Sequence, residues 1–162
     1  MNENSNIFTN KKILIYGLGK SGISSFKFLK NKNHIFLFDD NKKIRLTKIY
    51  KKNLISLNQI KKSKFDLIIL SPGINDKKCK LRKFLKKNFK IIYTDLDIFY
   101  SFYKNLCITI TGTNGKSTTC QLFYQLLKKQ KYDVRLAGNI GYPILSIKNI
   151  KKNTVFVIEA SS

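Results

Sequence analysis

The sequence predicts an α/β protein made of two successive strand–loop–helix units, each built on a parallel sheet. Three observations predict it. Short apolar runs recur and end in Gly, Asp or Glu. Glycine-rich turns follow two of those runs, and apolar residues at helical spacing follow the turns.

ILIY (13–16) is a buried strand that runs into Gly17. GLGKSG follows, then SSFKFLKNK, where Phe26 and Leu29 face inward at helical spacing and lysines face out. IFLF (35–38) is a second strand, ending in Asp39 and Asp40. Strand, glycine turn, helix, strand and acid together open a βαβ unit. FDLIILSPG (65–73) is a third strand closing on a Pro-Gly turn. CKLRKFLKKN (79–88) is a basic amphipathic helix with Leu81, Phe84 and Leu85 inward, and KIIYTDLD (90–97) is a fourth strand with acids beyond its end.

A second unit begins near residue 106. LCITIT is an apolar strand running into GTNGKS, and STTCQLFYQLLKKQ is a helix with Cys120, Phe123 and Leu127 on one face. DVRLAGNIGYPI supplies a strand and a glycine-rich loop, and TVFVIEASS a strand ending in Glu159. In open α/β sheets the ligand crevice lies outside the carboxyl ends of the strands, where these loops fall.

Bulk properties narrow the function classes. With 43% hydrophobic residues in 162, a core can form. No apolar run reaches the roughly 20 residues of a membrane span, and the polar start MNENSNIFTNKK is unlike a signal peptide, so a cytoplasmic location without membrane insertion is expected. The net charge is +23, but only Arg45, Arg82 and Arg135 among the 32 basic residues are arginine. Lysines spread along the whole chain read as solvated faces, and no nucleic-acid partner is expected. Cys79, Cys107, Cys120 and the single His34 have no metal-ligand spacing; Cys107 and Cys120 read as buried thiols.

Three constellations carry chemistry. Gly17-Leu18-Gly19-Lys20-Ser21-Gly22 is a G-x-G-x-x-G between strand and helix, with Asp39 17 residues after Gly22. That pattern binds a diphosphate at a helix N-terminus with an acid near a ribose; alone it could equally be a tight structural turn. Gly112-Thr113-Asn114-Gly115-Lys116-Ser117-Thr118 has the strand–loop–helix setting of a P-loop, although Ile110 stands where the usual first glycine would be. Glu159, at the end of a strand downstream of that loop, is placed to share a magnesium ion with Ser117.

GTNGKST resembles the ATP-binding signature of the Mur ligase family, which does not require the earlier glycine. Within it the chain is similar to the branch that adds D-glutamate to UDP-N-acetylmuramoyl-L-alanine. GLGKSGIS, SPGI (71–74), TDLDIF (94–99, with Asp97 where Glu is commoner), GNIGYP (138–143) and EASS (159–162) support the narrower likeness.

The resemblance implies a Rossmann-like UDP-sugar-binding domain over 1–93, a linker over 94–105, and the beginning of a P-loop ATP-binding domain over 106–162. It implies that Gly17–Gly22 with Ser71, Pro72 and Gly73 cradle the diphosphate end, and that Asp39 and Asp40 face the uracil or ribose. Asn139 is expected against the substrate beside the reacting centre, Lys116 on the ATP phosphates, and Ser117 and Glu159 on Mg²⁺. The implied reaction is ATP-dependent amide formation through an acyl phosphate, in peptidoglycan precursor synthesis, by an enzyme that is monomeric at full length. Family members continue past EASS into a C-terminal D-glutamate-binding domain, so this chain alone is expected not to turn over. On that footing TVFVI (154–158) is expected to be an exposed apolar sheet edge. The alternatives are an NAD-dependent oxidoreductase, read from the first motif and Asp39, a basic P-loop protein that binds nucleic acid, read from charge alone, and a non-catalytic UDP-sugar-binding remnant.

Overall fold

β1 (Lys12–Tyr16) forms where the first apolar run alternates between two buried faces, and it becomes an interior strand of its sheet. The structure, a computed structural model, describes residues 6–41 and 47–161. By contacts the chain divides into two compact units between Ser101 and Phe102.

In the first unit β1 is followed by α1 (Lys20–Leu29), β2 (His34–Phe38), α2 (Lys48–Lys51), α3 (Leu57–Lys62), β3 (Leu67–Leu70), α4 (Arg82–Lys87), β4 (Ile92–Tyr93) and α5 (Asp95–Phe102). The sheet order is β2-β1-β3-β4, and every pairing is parallel. The chain leaves β1 toward β2 and returns to its other side at β3. This is a topological switch point, and the Gly17 and Ser71 loops both open at it. Leu14 and Tyr16 pack on one face with Ile60, Ile68, Leu81 and Leu85; by strand alternation Ile13 and Ile15 face the other way. Phe26, Leu29, Leu81 and Leu85 are buried as the helical spacing predicts, and Phe84 packs against that core.

The segment expected as a fourth strand over 90–97 is different. Phe89–Ile91 forms a 3₁₀ turn, only Ile92 and Tyr93 pair with β3, and Asp95 opens α5. The helix wins because Thr94 and Asp97 close a capping box. Asp97 accepts from the Thr94 N–H and hydroxyl (both 2.7 Å), and its own N–H reaches back to Thr94 Oγ1 at 3.4 Å. Asp97 therefore caps the start of its own helix.

In the second unit β5 (Cys107–Ile110) leads through α6 (Lys116–Lys129) to β6 (Val134–Gly138) and β7 (Val155–Glu159). The order is β5-β7-β6, again all parallel. β7 is thus the central strand, buried along its whole length. The expectation that TVFVI is an exposed edge fails, because β5 and β6 take the two sides. Cys120 is buried and Cys107 only half-buried. On α6 the residues facing the sheet are Cys120, Tyr124 and Leu127, while Phe123, expected inward, is 41% exposed. The i, i+4, i+7 set carries the seam rather than i, i+3, i+7.

Candidate functional site

In the first unit the glycine loop is clamped between two partners. Leu18 N–H donates to Asp39 Oδ2 at 2.6 Å, and the Ser71 hydroxyl donates to the Gly17 carbonyl at 2.7 Å. A methyl group on Gly22 would lie 1.8 Å from that same carbonyl, so only glycine lets α1 start this close to β1. Gly17 itself has φ +96°, with Ser71 Cβ and Ile74 at 2.8 Å from a hypothetical Cβ. By contrast nothing lies within 4 Å of a Cβ on Gly19 or Gly73. Open space therefore adjoins both loops. α1 begins at Gly19 with no side-chain cap and no acid in its first turn, which leaves backbone N–H groups for an anion.

Several residues expected on a ligand also make contacts within the protein. Asp39 also accepts from the Asn41 N–H at 2.8 Å, so its carboxylate braces the loop. Ser71 is buried and its proton goes to Gly17, whereas Pro72 and Gly73 are exposed. Lys20 is exposed at the start of α1, and the Ser21 hydroxyl goes to Asp95. Asp40 takes the Tyr16 hydroxyl at 2.7 Å and the Lys80 N–H at 3.1 Å, both on Oδ2. Its Oδ1 is buried with no hydrogen-bond partner among the described residues. Burial, then Asp40 and Cys79, push the Tyr16 phenol well above its ordinary range, so it stays a donor. Sequence reasoning missed Tyr16 and Asp95; only the strand-end position of Tyr16, just before the glycine loop, hinted at the first.

In the second unit two sequence-predicted residues, Ser117 and Asn139, meet Glu159. Ile110 of β5 and Gly138 of β6 are both in register with it, one on each side. Ser117, in the first turn of α6, donates its hydroxyl to Glu159 Oε2 at 2.8 Å. Lys116 folds back onto its own loop, donating to the Gly112 carbonyl and, at 3.4 Å, to that of Thr113. Gly112 (φ +133°) and Gly115 (φ +73°) hold conformations that side chains resist. Thr113, Asn114 and Thr118 are exposed around the turn. Asn139 donates its N–H to the Glu159 carbonyl at 3.0 Å, and its side chain meets Ser161 Oγ at 3.0 Å. Ser162, the last residue of EASS, lies outside the described residues.

Ile110 has a packing reason. Its side chain joins the cluster of Cys120, Val134 and Val157 beneath α6, so the position belongs to the sheet rather than to the loop. Burial first, and then the Glu159 carboxylate, raise the Cys120 thiol there.

Hydroxyl and carboxylate oxygens at Ser117 and Glu159 are hard donors of the kind Mg²⁺ takes. No group of three or more His, Cys, Asp or Glu that could hold a metal exists among the described residues. No helix among the described residues is long and apolar enough to cross a membrane.

The family model described as Mur ligase MurD-like, N-terminal domain, matches residues 11–93, and that of the Mur ligase middle domain matches 110–162. A UDP-N-acetylmuramoylalanine--D-glutamate ligase of Buchnera aphidicola subsp. Schizaphis graminum is 41% identical over 157 residues, covering 94% of this chain and 35% of that protein. A protein of the same name from Rickettsia prowazekii is 40% identical over 162 residues, covering 97% and 36%. The chain spans about a third of the length of these curated relatives. Among solved structures, the UDP-N-acetylmuramate:L-alanyl-gamma-D-glutamyl-meso-diaminopimelate ligase from Neisseria meningitides matches with a TM-score of 0.50 at 14% identity. It covers 93% of this chain and 52% of its own, a likeness of fold. With a family model over half its length and both units matched in order, the chain belongs to the Mur ligase family.

Proposed function

We propose that this chain supplies the nucleotide-sugar unit and the ATP-phosphate unit of a ligase that joins D-glutamate to UDP-N-acetylmuramoyl-L-alanine. The Ser117–Glu159 hydrogen bond beside the loop that carries Lys116, at the carboxyl ends of β5 and β7, is the observation that supports it most. The choice of substrates rests on the names of relatives about 40% identical over nearly the whole chain.

The chemistry has to bring two anions together. The alanyl carboxylate attacks the γ-phosphorus of ATP, forming an acyl phosphate and releasing ADP. The amine of D-glutamate then attacks the acyl carbon, the phosphate leaves, and the amine gives up a proton as the amide forms. Lys116 is the local cation that offsets the triphosphate charge, once its ammonium leaves the Gly112 and Thr113 carbonyls. Mg²⁺ held by Ser117 and Glu159 would add to that neutralisation. Asn139 is tied through its backbone to Glu159 and exposes its amide beside that centre, which suits a substrate contact. In the first unit the uncapped α1 turn suits a diphosphate, and Asp40 Oδ1 is an acceptor awaiting a donor such as an imide N–H or a ribose hydroxyl. ATP and a UDP-sugar are cytoplasmic metabolites, so peptidoglycan precursor synthesis in the cytoplasm is the setting of this reading.

The test is binding of UDP-N-acetylmuramoyl-L-alanine and of Mg·ATP by calorimetry. Both are expected to bind, and Lys116→Ala is expected to weaken ATP alone by roughly 10- to 100-fold, the loss of a charge-assisted contact. Failure of the UDP-sugar to bind, with tight binding of NADH, would favour an oxidoreductase instead.

A further inference from the structure

Asp95 opens α5 and is only 6% exposed, a depth at which carboxylates are rarely found without a specific partner. Its Oδ2 takes the hydroxyl of Ser21, in the first turn of α1 and inside the glycine loop motif. The Ser21 carbonyl in turn accepts the hydroxyls of Ser24 (2.7 Å) and Ser25 (3.1 Å), both buried. One hydrogen bond thus joins the starts of two helices whose dipoles both favour negative charge at that end. Asp95 is a resident anion beside the turn where a diphosphate would dock.

Burial is the main influence on this carboxyl and pushes its pKa up, with Asp97 on the same helix acting in the same direction. The Ser21 hydroxyl and the N–H groups of Asp95 and Leu96 act against it. A diphosphate brought to α1 adds like charge, which favours the protonated acid further.

We propose that Asp95 is a positioning residue for the nucleotide diphosphate: it holds Ser21 and the α1 turn, and it takes up a proton when the diphosphate docks. The proton comes from solvent and binds the Asp95 carboxylate. The new O–H donates to Ser21 Oγ, which reverses the existing hydrogen bond and frees the Ser21 hydrogen for a phosphate oxygen. Ser21 then acts on the ligand, although in the free chain its proton is engaged elsewhere. The inference rests on the first unit being a UDP-sugar site.

The experiment is calorimetry of the 162-residue chain with UDP-N-acetylmuramoyl-L-alanine between pH 4.5 and 8, in buffers of different ionisation enthalpy. Its diphosphate diester does not titrate in that range. The wild type is expected to take up protons on binding and to lose up to about tenfold in affinity as pH rises, the effect of a pKa one unit higher in the complex. Asp95→Asn keeps an acceptor for Ser21, and it is expected to bind with a flattened profile and diminished proton uptake. Asp39 on the Leu18 N–H, Asp40 on the Tyr16 hydroxyl, Asp97 beside Asp95 on α5 and Lys20 next to Ser21 are the other charged groups near Asp95, and that comparison separates them from it. Unchanged uptake in D95N, or a pH-independent affinity in the wild type, overturns the proposal and leaves the UDP-sugar reading standing. No binding by the wild type at any pH overturns both. Should D95N not fold, the ¹³C carboxyl shift of Asp95 in the wild type decides: its titration midpoint rises on adding the ligand, or the proposal fails.

Discussion

Ser117 and Glu159 share a 2.8 Å hydrogen bond between the first turn of α6 and the last residue of β7. Glu159 is buried, so its charge is held close to the loop by strand register rather than by a flexible side chain. Glu159→Gln preserves shape and can still accept from Ser117, but it removes the charge. Affinity for ATP with magnesium is expected to fall about tenfold or more, near 1.4 kcal/mol, while affinity in excess EDTA is unchanged or improved. Titrations in the two conditions measure this. Equal losses in both would mean that Glu159 supports the loop without touching the ion.

Two of the three glycines of the first loop, Gly19 and Gly22, should separate fold from function. Gly22→Ala forces a methyl group against the Gly17 carbonyl, a backbone atom that cannot swing away. A cost of about 1–3 kcal/mol is expected, read as a lowered thermal midpoint. Gly19→Ala meets open space at an ordinary φ of −70°, so the midpoint should stay put while UDP-sugar affinity drops. A destabilised Gly19→Ala variant would argue that the open space beside the loop is structural.

Much of this was legible in the sequence because its signals are local. An apolar run that ends in glycine before a helical pattern specified β1 and β5 and placed both loops at strand ends. Strand order is not a local property, so nothing in TVFVI indicated that β6 and β5 would flank it. The strand expected over 90–97 was lost to the Thr94–Asp97 box, a side-chain pattern that outweighs β-branched content in so short a run. Ser21–Asp95 and Ser71–Gly17 join residues 74 and 54 positions apart, and only the fold brings them together.

Asp95 gives a stability prediction whose sign follows from its raised pKa. The folded chain keeps this proton in a pH range where the unfolded chain has lost it. Stability therefore falls as pH rises from the unfolded value through the folded one, and the penalty persists above it. Asp95→Asn removes the penalty, so at pH 7 it should be at least as stable as the wild type, with the advantage fading toward pH 4. Asp133 titrates in the opposite sense. The Thr154 hydroxyl and Arg135 hold it low, giving stability that is present at neutral pH and lost in acid. Its contribution cancels in the difference between variant and wild type, which chemical denaturation at pH 4 and pH 7 would provide. A variant less stable at pH 7 by more than about 1 kcal/mol would mean that the charge itself holds the two helix starts together.

The exposed apolar side chains of the second unit include two leucines of α6, whereas β7 is buried. Leu122 and Leu126 are 61% exposed on the side of the helix away from Cys120 and Leu127. Leucine and lysine have similar helix propensity, so Leu122→Lys and Leu126→Lys should leave the thermal midpoint within about 0.5 kcal/mol of the wild type. Removal of a contiguous apolar stripe should also reduce self-association, visible as a smaller hydrodynamic radius at high concentration. Leu127→Ala, on the sheet side, is expected to cost about 2 kcal/mol instead, the low end for a leucine that is only partly buried. If the lysine variants unfold the chain as readily as Leu127→Ala does, the outer face of α6 is packed in solution and its exposure must be reconsidered.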